Sequence, residues 1–281
     1  MKMLRAATLS VIDVDRSASV YAEWLDYSLV EKGTISPALA ASWGCPDTAG
    51  AAYRVLAPSS GTDIYLRFIE QTPVVGYAPL RTYGWNAIEI CVQDVLAVDA
   101  RMKKPGCPFE IIGPPRKMEG LDAIHPMQVK GPDDEIVYFT QINDDLPAYD
   151  LPRAATPIDK LFILVLGCSD LEQSMAWFRD RAHLQFGRQM DIVYTMLAKA
   201  YGTPMEELHT IATMIDEKDV FLELDQYPPA ATDRPSHPGK LPPGVALATL
   251  KTKHFDKISG WLKPPADHEG PVYRGARAST H

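Results

Sequence analysis

Three charged side chains fall at strand-like positions where charge is expensive. Arg67 lies in DIYLRFIEQTP (63–73), Glu89 in NAIEICV (86–92) and Glu223 in DVFLELDQYPP (219–229). Side chains two apart on a strand share a face. Tyr65 therefore faces with Arg67, Ala87 with Glu89, Tyr138 with Thr140, and Phe221 with Glu223, with Asp225 beyond. A charge inside an apolar layer must be paired or must meet a polar ligand. One reading is structural: an Arg67–Glu89 ion pair, or a register that leaves both at the solvent edge. The other is chemical: Arg67 binds a carboxylate or enolate, Glu89 acts as base or hydrogen-bond acceptor, and Tyr138 joins them in acid–base work.

Aromatic residues supply the candidate ligand contacts. Trp43 in SPALAASWGCP (36–46) and Tyr201 in YTMLAKAYGTP (194–204) occupy matching positions of two similar segments. Packing explains both, but a short helix carrying such a ring could also close over an aromatic ligand. Tyr65, Trp85 and Phe221 are further contact candidates. His125 and His209 lie nearest to strands and read as surface or satisfied core residues. His183, His237, His254, His268 and His281 fall in loops or at the periphery, and His254 and Asp256 suit a helix start. Cys45, Cys91, Cys107 and Cys168 form no CxxC pair and have no histidine at metal spacing. GxSxG, GxGxxG and GxxxxGK are all missing.

The elements that must hold these residues repeat. Segments 36–46 and 194–204 are offset by 158 residues, with Leu39, Ala40, Gly44 and Pro46 matching Leu197, Ala198, Gly202 and Pro204. The flanks repeat as well: LSVIDVDRSASVYAEWLDY (9–27) answers ILVLGCSDLEQSMAWFRDR (163–181), and 63–73 answers 219–229. Similarity at so long a period indicates a duplicated domain rather than a solenoid. Strands are predicted over 4–11, 27–31, 52–56 and 64–69, with helices opening at Asp13 and over 36–43. The order restarts with a strand at 86–92, a helix opened by Asp94, and strands at 109–112, 127–130 and 136–142. Residues 144–157, DDLPAYDLPRAATP, read as a linker. A third unit has strands at 161–166, from 183 to 186 or beyond, 208–214 and 220–225, with a helix capped by Asp170. Residues 228–243 form a proline-rich connector. A fourth unit shows a strand at 245–250 and a helix near 255–262, and is then shortened.

This arrangement resembles the vicinal oxygen chelate superfamily of glyoxalases, bleomycin-resistance proteins and extradiol dioxygenases. The residues that carry the resemblance are LSVIDVDRSASVY, IEICVQDVLAVDARM, ILVLGCSDLEQSMAWF and the closing GPDDEIVYFTQI. It implies an α+β fold of paired βαβββ modules, four of them with the last one shortened. The expected domains are 1–143 and 158–281, each a pair of consecutive modules around a cup, joined by the linker 144–157. In the first cup Tyr65, Arg67, Glu89 and Tyr138 would meet; the second would hold Phe221 and Glu223. The superfamily usually holds a metal by a His or Gln seven positions before the helix-opening Asp and a Glu on the last strand. Those positions fall here on Ala6, Ala87 and Ile163, and on Tyr65, Tyr138 and Phe221. None is an expected ligand, so no metal and no cofactor are expected.

Composition narrows the partners. At 281 residues, with 46% hydrophobic and 23% charged residues, the chain can build two ordinary cores. A net charge of −8 without a basic cluster argues against nucleic acid. No apolar run is long enough to span a bilayer, and the N-terminus lacks a leader pattern, so a cytoplasmic location is expected. The expected partner is a small-molecule ligand, and a homodimer is one option. The expected function is metal-independent acid–base chemistry, of lyase or isomerase type, on a small apolar or aromatic metabolite. The alternatives are a non-catalytic binding or resistance protein and a metal-dependent ring-cleavage dioxygenase.

Overall fold

The structure is a computed structural model, and it describes residues 2–118, 121–252, 257–258, 262–265 and 270–273. The first unit runs β1 (Leu4–Val11), α1 (Val14–Leu25), β2 (Ser28–Thr34), α2 (Pro37–Ser42), β3 (Ala52–Ala57) and β4 (Tyr65–Glu70). The second runs β5 (Gly84–Val92), α3 (Val95–Met102), β6 (Glu110–Gly113), β7 (Ile124–Lys130) and β8 (Ile136–Ile142). The third runs β9 (Ile158–Cys168), α4 (Leu171–Ala182), β10 (Gln185–Val193), α5 (Thr195–Tyr201), β11 (Leu208–Asp216) and β12 (Asp219–Gln226). β13 (Gly244–Leu250) follows the proline-rich connector. Most of the helix expected near 255–262 lies outside the described residues, as do His254, Asp256, His268 and His281.

The repeated Asp is a helix cap in each unit. Asp13, Asp94 and Asp170 adopt extended backbone (φ −144°, −145° and −142°), and their carboxylates accept from N–H groups of the first helical turn. Each helix then lays an apolar face on its own sheet. Tyr21, Leu25, Val98, Met175 and Phe178 share one continuous core with the sheet residues beneath them. The opposite sheet faces carry two separate clusters, one on each sheet.

Within every unit the first strand pairs in parallel with the last: β1 with β4, β5 with β8, and β9 with β12. The other edge of each first strand is free to accept a partner. β5 takes β9 in antiparallel fashion, with Ala87 opposite Val165 and Glu89 opposite Ile163. β1 takes β13, with Ala7 opposite Ala248. The result is an eight-stranded sheet, β10-β11-β12-β9-β5-β8-β7-β6, and a five-stranded sheet, β13-β1-β4-β3-β2.

This pairing corrects the expected grouping of consecutive units in 1–143 and 158–281. The second unit shares a sheet with the third across residues 144–157, and the first shares one with β13. An unpaired strand edge accepts any equivalent edge, so the sequence of each unit leaves its partner undetermined. Two further differences matter at the site. β10 runs to Val193, well past the expected strand end. β12 carries a bulge: Met214 pairs with Leu222 and Ile215 with Val220, leaving Phe221 as an extra residue.

Candidate functional site

The eight-stranded sheet forms one wall of a cavity of about 540 Å³. Glu89 and Tyr138 reach it from β5 and β8, Ile163 from β9, Ile211 and Thr213 from β11, and Glu223 from β12. Tyr194, just before α5, and Tyr149 and Leu151, from the segment read as a linker, add to the lining. The apolar linker residues are thus drawn in over the cup. Its mouth carries Arg116, Lys117, Arg188 and Lys199, all exposed.

The floor is acidic but not ion-paired. Glu89 is 6% exposed, and its Oε1 accepts from Thr140 Oγ1 at 2.5 Å. That leaves Oε2 for a ligand. Burial pushes the Glu89 carboxyl up to about 8, with the Glu223 charge adding to the shift and the Thr140 bond opposing it. Glu223 is raised well above the usual carboxylate range, first by desolvation and then by Asp225. Asp225 is 1% exposed, and neither carboxylate oxygen meets a donor in hydrogen-bonding geometry. Desolvation lifts it to about 7, while Glu223 and Tyr194 lie close enough to bias its ionisation. The Tyr138 and Tyr194 hydroxyls are bonded to each other, and burial raises both phenols well above their ordinary range. At neutral pH the floor therefore presents protonated carboxyls and phenols, which can donate hydrogen bonds and exchange a proton near neutrality.

Only part of the candidate set converges here. Glu89, Tyr138 and Glu223 share the cavity, and Arg67 does not. Arg67 sits on β4 of the five-stranded sheet, donating to Thr8 Oγ1 through Nε (3.0 Å) and Nη2 (2.8 Å) and to Tyr273 OH through Nη1 and Nη2 (3.2 Å each). Its guanidinium lies over the rings of Trp43 (4.7 Å) and Tyr273 (5.3 Å). An Arg67–Glu89 pair is therefore ruled out, because the two first strands join different sheets.

The remaining contact candidates are structural neighbours of that arrangement or lie outside the cavity. Trp43 Nε1 donates to Tyr273 OH at 3.2 Å. Tyr65 OH donates to Asp63 Oδ1 at 2.8 Å, and its ring lies under Arg5. Trp85 packs on the helix-side core, and its carbonyl accepts from Arg234 Nη2. The bulge turns Phe221 into that same core, away from Glu223. Tyr201 packs against Tyr227 and under Arg81. His209 is buried, its Nε2 lacks a hydrogen-bond partner, and burial lowers its pKa.

Sequence reasoning missed Tyr194, Arg188 and the linker residues Tyr149 and Leu151. Tyr194 opens the repeated segment 194–204, and Tyr149 and Leu151 are, with Leu146, the large apolar residues of the stretch 144–157. Those were the available signals.

A metal in this cup would need three or more converging donors from the sheet. Among the described residues no group of three His, Cys, Asp or Glu is arranged to hold one. The first-strand positions Ala87 and Ile163 are apolar, and Tyr138 stands beside Glu89 on the neighbouring strand. The donor set does not fit a metal centre of the usual superfamily kind.

The architecture has solved counterparts. Glyoxalase I from Zea mays aligns with a TM-score of 0.54 at 20% identity, covering 81% of this chain and 68% of that one. A candidate dioxygenase from Bacillus subtilis subsp. subtilis str. 168 aligns with a TM-score of 0.55 at 12% identity, covering 91% of this chain and 72% of that one. The chain thus has the α+β fold of the vicinal oxygen chelate superfamily. No protein-family model matches the sequence, and no curated protein matches it. Among the described residues no helix is long and apolar enough to cross a membrane.

Proposed function

We propose that the chain binds and transforms a small apolar or aromatic metabolite in the cavity of the eight-stranded sheet, by metal-independent acid–base chemistry of the lyase or isomerase type. One observation carries this reading. A carboxyl held at about 8 stands on the floor of an otherwise largely apolar cavity of about 540 Å³. A group near its own pKa at working pH is suited both to give and to take a proton.

In this reading Glu89 Oε2 exchanges a proton with an oxygen or an acidic carbon of the ligand, while Thr140 fixes the carboxyl through Oε1. Glu223 donates a hydrogen bond to a second ligand oxygen. The Tyr138–Tyr194 hydroxyl pair lines the same wall and orients the ligand. Arg67 has no part in the reaction, since it serves the other sheet.

The protonated floor also favours a second reading, a binding or resistance protein that uses these acids only as donors. Glu89→Gln separates the two. Retained ligand affinity with turnover reduced by about 10² to 10⁴ supports the enzyme; a tight ligand that the parent protein never turns over supports the binder. Stoichiometric Fe, Mn or Zn in the purified protein would overturn metal independence and restore the ring-cleavage alternative.

A further inference from the structure

The charges around the cavity are sorted by depth. The acids Glu89 and Glu223 are on the floor, and the cations Arg116, Lys117, Arg188 and Lys199 are among the residues of the mouth. This is notable in a chain with 36 acidic and 28 basic residues. Among the described residues Asp191 is the acid that shares the mouth, and its Oδ1 accepts a hydrogen bond from Thr210 Oγ1 at 2.7 Å. Lys199 Nζ reaches the carbonyl of Ile112 at 3.3 Å. Arg116, Lys117 and Arg188 make no ion pair among the described residues. They stand on separate elements, the 114–118 loop and β10, so one helix face or one basic run does not explain their meeting.

We propose that the ligand of this cavity is an amphiphilic anion, a small aromatic or aliphatic acid that enters with its uncharged end first. Its oxygen acceptor meets Glu89 and Glu223 on the floor, its apolar body lies along Tyr138, Ile163 and Ile211, and its carboxylate or comparable acid group stays at the mouth on Arg116 and Arg188, with Lys117 and Lys199 adding attraction. The opposite orientation would bury the anion on a floor that offers no compensating cation, which desolvation opposes. The inference rests on the cavity being the ligand site.

A matched pair of fluorescent probes tests it on the full chain: 8-anilinonaphthalene-1-sulfonate and its uncharged analogue N-phenyl-1-naphthylamine, titrated at low and high ionic strength. The sulfonate should bind roughly tenfold tighter at low salt, the sum of several modest exposed charge contacts. High salt should close that gap. The double variant Arg116→Gln/Arg188→Gln should lower sulfonate affinity toward that of the neutral probe and leave the neutral probe unchanged. Equal affinity for the two probes, or a sulfonate affinity indifferent to the double variant, overturns the inference. Ile211→Trp, checked for folding by circular dichroism, fills the cavity and should weaken both probes. If both bind this variant unchanged, they bind elsewhere and the cavity itself is not the site; if it weakens them equally with no charge preference, only the anionic ligand class is refuted.

Discussion

The carboxyl of Glu89 makes the stability of the protein depend on pH in a calculable direction. Its pKa rises from an ordinary 4.5 to about 8 on folding. The folded state therefore holds the Glu89 proton over a range in which the unfolded chain has released it. The contribution is fully present below 4.5 and is lost as pH climbs through 8. Each pH unit inside that window is worth about 1.4 kcal/mol, so the ceiling is about 5 kcal/mol, reduced by any water that enters the cavity. Glu89→Gln keeps the shape and the acceptor for Thr140 but cannot ionise. Urea unfolding of both proteins from pH 5 to 8 should show the variant gaining on the parent by up to about 1.4 kcal/mol per pH unit, steepest in the middle of the range and flattening as the pH nears 8. Glu135, Glu223 and Asp225 also titrate abnormally, so the informative quantity is the difference between the two curves. Parallel curves over this interval would mean that Glu89 is not held protonated in the folded protein, and the acid–base reading of the cavity would go with it.

Thr140→Val removes the hydroxyl whose bond opposes the rise of the Glu89 pKa. The alkaline limb of any ligand-binding or rate profile governed by Glu89 should move to higher pH, whereas a purely structural role for Thr140 would leave the limb in place. Asp225→Asn removes a buried charge with no hydrogen-bond donor; with a pKa raised to about 7, the parent is penalised above that pH. The variant should therefore melt higher than the parent at pH 8 and lose that advantage near pH 4. Tyr273→Phe strips Arg67 and Trp43 of their shared acceptor and should cost about 1–3 kcal/mol in urea unfolding. Arg67→Met should cost less, because it removes the buried charge together with its needs.

Strand and helix positions were legible because the physics that sets them is local. Asp13, Asp94 and Asp170 each precede an apolar face at helical spacing, and each became a cap. Ile136–Ile142 was bounded by a turn on one side and a polar stretch on the other, and the strand has those limits. The choice of partner was not legible. β5 could have taken β1 or β9, and nothing within residues 84–92 distinguishes them, so Arg67 was assigned to the same cup as Glu89. The bulge at Phe221 was hidden for a related reason: alternation alone predicts that 221 and 223 share a face, and one extra residue in the pairing cancels that prediction. Tyr149 and Leu151 looked like linker because the stretch around them is charged and proline-rich; the cavity that receives them exists only once the second and third units share a sheet.

The two sheets show how one duplicated scaffold can divide its labour. At the positions that answer each other in the repeat, one sheet has Arg67 and the other Glu223. Arg67 is 2% exposed, and hydroxyls and aromatic faces satisfy it, two of those groups belonging to Tyr273. Arg5 holds the same segment through the carbonyls of Pro271 (2.7 Å) and Val272 (3.3 Å). The space left beside Arg67 is about 10 Å³, room for about one water molecule. In the eight-stranded sheet no segment among the described residues takes that place, and about 540 Å³ stays open above Glu89 and Glu223. A closed cup can spend its polar groups on its own chain, and those groups then stabilise the fold. An open cup leaves its acids partnered by little besides Thr140 and each other, which is costly for folding and useful for a ligand. The asymmetry is what favours the open cup for the proposed chemistry, and the separation of the two sheets leaves Arg67 and Glu89 no geometric means of pairing.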